Sequence, residues 1–205
     1  MEDVRDLKAL QLDALKEVAN IGAGHAATAL SQLTHRRIMI SVPEINIARL
    51  EDVPGVLGDP QDVVAAVLMH MLGDLTGRTL LLFPEAVARQ VCDMLLKRPL
   101  GTTKDFDTIE QSCLKECGNI LSGAYMNALS EFMGMLLLPS VPSLVVDLSA
   151  AVLTTTYLNF GHDRDFVFCV ETEFSIDAQD GLRGHFLLLP DMASLKAIFD
   201  AIRLS

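Results

Sequence analysis

A single ungapped offset of 99 residues lays this chain on itself. Glu17-Val-Ala-Asn20-Ile-Gly-Ala-Gly24 falls on Glu116-Cys-Gly-Asn119-Ile-Leu-Ser-Gly123, Ala29-Leu30-Ser31 on Ala128-Leu129-Ser130, and Ser41-Val42-Pro43 on Ser140-Val141-Pro142. Further on, Gly77-Arg-Thr-Leu-Leu-Leu-Phe-Pro84 resembles Gly184-His-Phe-Leu-Leu-Leu-Pro190, with the offset drifted by a few residues, as loop insertions cause. Self-similarity on this scale restricts the fold to one built from two copies of a single unit.

Each half reads as a long helix, several strands and a short helix. The first helix is expected from about Val4 to Leu33, with strands near Arg37–Val42, Asp62–Met71 and Leu75–Phe83 and a helix near Glu85–Lys97. Lys97–Lys104, with Pro99 and Gly101, is the linker. The second long helix starts at Asp107, with Glu110 completing a capping-box signal, and ends near Met133. Strands are expected near Leu136–Val146, Ala151–Asn159, Asp165–Glu173 and Gly181–Leu189, then a last helix. The expected fold is α/β with pseudo-twofold symmetry: one shared sheet flanked by two long helices that carry the repeated motif, and by shorter ones. Val141–Leu148 and His185–Leu189 are apolar enough for burial in such a sheet. The reading is one domain, 1–205, made of repeats at about 4–98 and about 105–204.

With 27 acidic against 16 basic residues the net charge is −11, which offers no footprint for nucleic acid or an anionic membrane. The run Val63 to Leu72 is too short to span a bilayer, and the acidic MEDVRDLK start is no signal peptide, so a cytoplasmic protein is expected. Cys92, Cys113, Cys117 and Cys169 have neither CxxC pairing nor a zinc-spaced His and are expected as reduced thiols, and no metal site is expected.

At roughly 100° per residue, Asp13, Glu17 and Asn20 fall within an arc of about 60°, opposite Leu15, Val18, Ala19, Gly22, Ala26 and Leu33. Ser112, Glu116 and Asn119 form the same stripe opposite Leu114, Cys117, Gly118, Leu121, Tyr125 and Phe132. One such stripe is what any surface helix shows. The same Glu-x-x-Asn at the matching place in both halves, each time running into a Gly-bearing segment, asks for more. Close helix packing is the ordinary explanation for Gly22 and Gly24. Pro43 and Pro142 read as strand ends or turns.

Asp13-x3-Glu17-x2-Asn20-x22-Pro43 and Ser112-x3-Glu116-x2-Asn119-x22-Pro142 both resemble the signature of the CheC/CheX/FliY phosphatases, (Asp or Ser)-x3-Glu-x2-Asn-x22-Pro. The resemblance implies hydrolysis of the phospho-aspartate of a CheY-type response regulator in chemotaxis. It assigns Glu17 and Glu116 to docking within the catalytic motif, and Asn20 and Asn119 to catalysis. Asp13 and Ser112 are expected at the rim, touching the receiver. It also implies the deamidase CheD as a possible partner. No cofactor of its own is expected, the Mg²⁺ belonging to the receiver. His25, where a smaller polar residue is usual in the family, is a departure beside the first site. The alternatives are a non-catalytic module that captures a phosphorylated receiver or CheD, and a flagellar-switch component, although the chain stops soon after the second repeat.

Overall fold

The long helix of each half forms because its apolar residues recur at helical spacing. In α1 (Ala9–Thr34), Leu15, Val18, Ala19, Ala23, Ala26 and Leu30 are buried along one side. In α3 (Thr108–Met133), Leu114, Cys117, Leu121, Tyr125 and Leu129 do the same. Both helices run 26 residues and stop on a left-handed residue, His35 (φ 53°) and Gly134 (φ 66°), which stand 99 residues apart. Leu33, expected on the buried side, is half exposed in the last turn of α1. The computed structural model describes residues 9–49, 59–158, 166–176 and 179–204. The expected helical start at residues 4–8 and the expected strand residues Asn159 and Asp165 lie outside these.

Each long helix feeds two short strands: β1 (Ile38–Ser41) and β2 (Ile45–Arg49) in the first half, β5 (Leu137–Pro139) and β6 (Ser143–Leu148) in the second. A long hairpin follows in each half, β3 (Val63–Gly73) with β4 (Gly77–Pro84), and β7 (Phe166–Ile176) with β8 (Gln179–Pro190). The short helices α2 (Glu85–Leu95) and α5 (Met192–Leu204) close the halves, and α4 (Ser149–Leu158) lies between β6 and β7.

The eight described strands form one antiparallel sheet in the order β1-β7-β8-β4-β3-β5. β2 continues along β7 beyond β1, and β6 continues along β3 beyond β5. The short strands of each half therefore pair with the hairpin of the other. β4 and β8 pair at the centre, with Leu81 opposite Phe186, and the two halves are arranged alike about that pair. Pro43 and Pro142 sit where each edge strand is interrupted, at residues that need not donate to the ladder.

Alternation along the strands sorts the core. Ala65, Val67, Leu81, Phe83, Val170, Phe174 and Phe186 face α1, α2 and α3. Phe168 and Met71 on the same side meet Leu195 and Ile198 of α5. Val64, Ala66, Leu80, Leu82, Cys169 and Leu187 point to the opposite face, where α4 covers them with Val152 and Leu153.

Several expectations change. Ala151–Leu158, expected within a strand Ala151–Asn159, belongs to helix α4. Ser149, Val152, Leu153 and Thr156 are its buried residues, a 3–4 spacing. Leu136–Val146 is two strands, not one. β2 was not anticipated, although it is the first-half counterpart of β6. Val141–Leu148 is not buried: Val141, between β5 and β6, is 88% exposed, and Val145, Val146 and Leu148 of the edge strand β6 are also exposed. Asp107 opens α3 without a side-chain capping hydrogen bond, while Glu110 ion-pairs with Arg98 at 2.5 Å. That guanidinium holds the Glu110 carboxyl below the usual carboxylate range.

Candidate active site

α1 and α3 pack on each other as well as on the sheet, and small residues set how closely. A methyl group at Gly22 would stand 2.7 Å from Tyr125 Cδ1 and 3.0 Å from its Cα, so α1 crosses α3 with backbones nearly touching. A methyl at Gly118 would run into Val67 of β3. Close packing therefore explains Gly22 and Gly118. It does not explain Gly24, where nothing lies within 4 Å of the position a Cβ would take, and the same holds for Gly123. A glycine inside a helix costs about 1 kcal/mol relative to Ala, so both positions carry a cost with no return in packing.

Polar contacts fix the turn of α3. Tyr125 Oη and Thr172 Oγ1 share a buried hydrogen bond of 3.2 Å, and the Tyr125 ring lies 4.6 Å from that of Phe186. Burial pushes the Tyr125 hydroxyl up to about 12, with the Thr172 bond opposing it. One turn away, Thr79 Oγ1 donates to Ser122 Oγ at 3.3 Å. Cys117, wholly inside, is raised to about 12 by burial first and by Cys92 and Glu116 after it. On α1, Lys16 Nζ donates to the Pro43 carbonyl at 3.0 Å and so ties the helix to the motif proline.

With the inner sides held, the outer sides are set. Asp13, Glu17 and Asn20 are exposed on α1, and Ser112 and Glu116 on α3, with Asn119 half-buried. Each trio thus shares one stripe. Among the described residues no hydrogen bond or ion pair engages the side chains of Glu17, Asn20, Glu116 or Asn119. His25 is exposed on the flank of the first stripe. An apolar cavity beneath α1, lined by Leu15, Val18, Ile45, Tyr125, Leu129 and Ile198 among others, includes none of the motif residues. The stripes are therefore surfaces that another macromolecule can cover. Each presents an anion to pair with a cation, and a carboxamide that can both accept from water and donate to an oxygen.

No group of three His, Cys, Asp or Glu among the described residues is arranged to hold a metal ion. No described helix is long and apolar enough to cross a membrane.

Comparison with known proteins agrees with this layout. The model of the CheC-like family matches residues 10–47 and 109–146, each span opening in a long helix and running past the motif proline. Among solved structures, FliY of Thermotoga maritima superposes with a TM-score of 0.79 at 22% identity, covering 97% of this chain and 98% of that one. A chain of the FliG–FliM complex from H. pylori superposes at 0.69 with 15% identity, covering 95% and 100%. At these identities the likeness is one of fold. In sequence, the chain is 34% identical over 199 residues to the CheY-P phosphatase CheC of Bacillus subtilis (strain 168), across 96% of this chain and 95% of the relative. Identity at that level along nearly the whole of both chains settles the kinship to which the doubled motif pointed: this chain belongs to the CheC-like family.

Proposed function

We propose that this chain is a CheY-P phosphatase, releasing inorganic phosphate from the phospho-aspartate of a CheY-type receiver in chemotaxis. The observation that carries the reading is the pair of Glu-x-x-Asn stripes, both on the side of their helix away from the packed core, in a chain related along 96% of its length to a CheY-P phosphatase.

The chemistry asks little of the protein. An acyl phosphate is already activated, and phosphoryl transfer depends on an in-line nucleophile and on stabilising charge at the equatorial oxygens. The Asn20 or Asn119 carboxamide oxygen accepts a hydrogen bond from a water and aims it at phosphorus, while its NH2 donates to a phosphoryl oxygen. Being neutral, it does not repel the phosphoryl group as a carboxylate would. The water oxygen bonds to phosphorus, the bond to the aspartate oxygen breaks, the aspartate leaves as its carboxylate, and both water protons stay on the phosphate, released as dihydrogen phosphate. A receiver's own Mg²⁺ and Lys would supply the charge stabilisation at the phosphoryl oxygens. Glu17 or Glu116, one turn earlier, pairs with that Lys and sets the register, with Asp13 or Ser112 at the rim. We read residues 1–205 as one unit whose two sites share this frame. A CheD-type deamidase as a further partner is implied by the family resemblance alone.

Replacing Asn20 and Asn119 together by Ala should slow catalysed decay of the receiver's acyl phosphate on the order of 10²-fold or more without unfolding the protein. Near wild-type turnover in a folded double variant would refute the mechanism. The fold likeness to a chain of the FliG–FliM complex supports a second reading, a flagellar-switch component. Catalytic amounts of the wild-type chain leaving the acyl phosphate lifetime unchanged would favour it.

A further inference from the structure

The two glycines without a packing reason stand in equivalent places. Gly24 follows Asn20 by four residues and Gly123 follows Asn119 by four. At 100° per residue each lies about 20° from its Glu and about 40° from its Asn, roughly 6 Å further along the helix than the Asn. Each therefore sits on the outward stripe of its own site, and Gly24 is exposed. Neither has the positive φ for which glycine is favoured. Thr28 Oγ1 donates to the Gly24 carbonyl at 2.9 Å, but any residue at position 24 would offer that carbonyl. Beside it Ile21, repeated as Ile120, is 43% exposed.

The other glycines of these helices show that the repeat alone does not retain glycine. Gly22, packed on Tyr125, stands opposite Leu121, and Gly118, packed on Val67, stands opposite Ala19. Within the two long helices, the glycines that the fold needs occur in one half only. The position that is glycine in both halves is the one at which the fold gains nothing.

We infer that Gly24 and Gly123 are positioning residues for the substrate: they leave the helix backbone bare so that the receiver's surface can close to van der Waals contact on it when its phospho-aspartate meets Asn20 or Asn119. This rests on the phosphatase reading of the same site. A side chain at either position would hold the receiver off by the width of that side chain. The partner it fits is a protein surface with a carboxyl phosphate recessed beside a flat edge, since a small acyl phosphate would reach the Asn past any residue at position 24.

The test uses the full chain with Gly24→Ala/Gly123→Ala, Gly24→Leu/Gly123→Leu and Asn20→Ala/Asn119→Ala, and a CheY-type receiver carrying either phosphate or beryllofluoride. The Leu pair should raise KM for the phosphorylated receiver, and Kd for the beryllofluoride form, at least tenfold, with kcat at saturation changed far less. The Ala pair should melt higher than wild type by several degrees, because two helix interiors gain propensity, and yet bind more weakly. An Ala pair that melts lower would show that the glycines serve the fold and would overturn the inference. So would a Leu pair with wild-type KM and Kd, and the phosphatase reading would still stand if the Asn pair had lost turnover. Conversely, an Asn pair with full turnover beside a Leu pair with lost affinity would refute the catalytic assignment and leave the glycine contact in place.

Discussion

Asp93 gives the sharpest stability prediction, because a fully buried carboxylate organises the connector between the halves. Its Oδ2 accepts from the backbone N–H groups of Gly101 at 2.7 Å and Thr102 at 3.0 Å. Its Oδ1 accepts from the Thr103 N–H at 2.8 Å and the Thr103 hydroxyl at 2.7 Å. Burial alone would raise its pKa, but the bonds from Thr103, Gly101 and Thr102 outweigh that and hold it below the usual value. Asp93→Asn keeps the volume and turns one acceptor into a donor. The milder orientation points the NH2 at Gly101 and Thr102, exposed residues at which water can partly replace the lost acceptor, and keeps the oxygen for the buried Thr103. Two hydrogen bonds to a charged acceptor, each worth about 1.5–3 kcal/mol, are lost and partly replaced by water, so we expect a loss of about 3 kcal/mol. For a chain of this size that lowers Tm by about 6–12 °C. Asp93→Ala, which removes all four acceptor contacts, should cost more. Since the folded-state pKa is depressed, the stabilisation is present above the unfolded carboxylate pKa and fades as pH falls through the folded one. The gap between wild type and Asp93→Asn should therefore narrow in acid, below about pH 4. Thermal melts at pH 7 and pH 3.5 measure both effects. A Tm within about 1 °C of wild type at pH 7 would refute the reasoning.

Glu17→Lys with Glu116→Lys should weaken capture of the phosphorylated receiver by setting like charge against its Lys, and the defect should shrink at high salt; unchanged affinity would mark both as ordinary surface residues. Residues 1–100 or 104–205 expressed alone should show no cooperative melt, because β7 would lack β1 and β2, β3 would lack β5 and β6, and β4 and β8 would lose each other. A sharp transition in either half would mean that the crossed strands are dispensable.

The doubled helix and its outward stripe were legible because a period of 3.6 residues and a repeat are both one-dimensional signals. Strand exchange between the halves was not. An edge strand such as Ile38–Ser41 carries no mark of which hairpin it joins, and Ile176 and Phe174, with which Ile38 and Ile40 align, lie in the other half. Helix α4 was not legible because the apolar far face of the sheet that it covers is built from strands distant in sequence. The role of Gly24 could not be separated from that of Gly22 by sequence, since only the neighbours in space tell a packed glycine from a bare one.

The pattern of agreement between the halves bears on whether both sites work. Duplication followed by free drift should preserve buried positions best, because substitutions there are the costly ones, whereas exposed substitutions usually shift stability by under about 0.5 kcal/mol. On the long helices the identities gather on the motif stripe instead, while Asp13/Ser112, His25/Ala124, Thr28/Asn127 and Gln32/Glu131, also outward on α1, have changed. On their inner sides Val18 faces Cys117, Ala19 faces Gly118, Gly22 faces Leu121, Ala26 faces Tyr125 and Ala27 faces Met126, with only Leu15/Leu114 and Leu30/Leu129 among the large residues unchanged. Such exchanges are tolerable because each helix packs against different neighbours, as Gly22 against Tyr125 and Gly118 against Val67 show. On the motif stripe Glu17, Asn20, Ile21 and Gly24, all exposed on α1, are each matched by an identical residue. Fold stability does not ask for identity at exposed positions, and least of all for glycine. What retains them must act from outside the molecule, and it must act on both helices, since a site that had fallen idle would be free to drift as the inner sides have done.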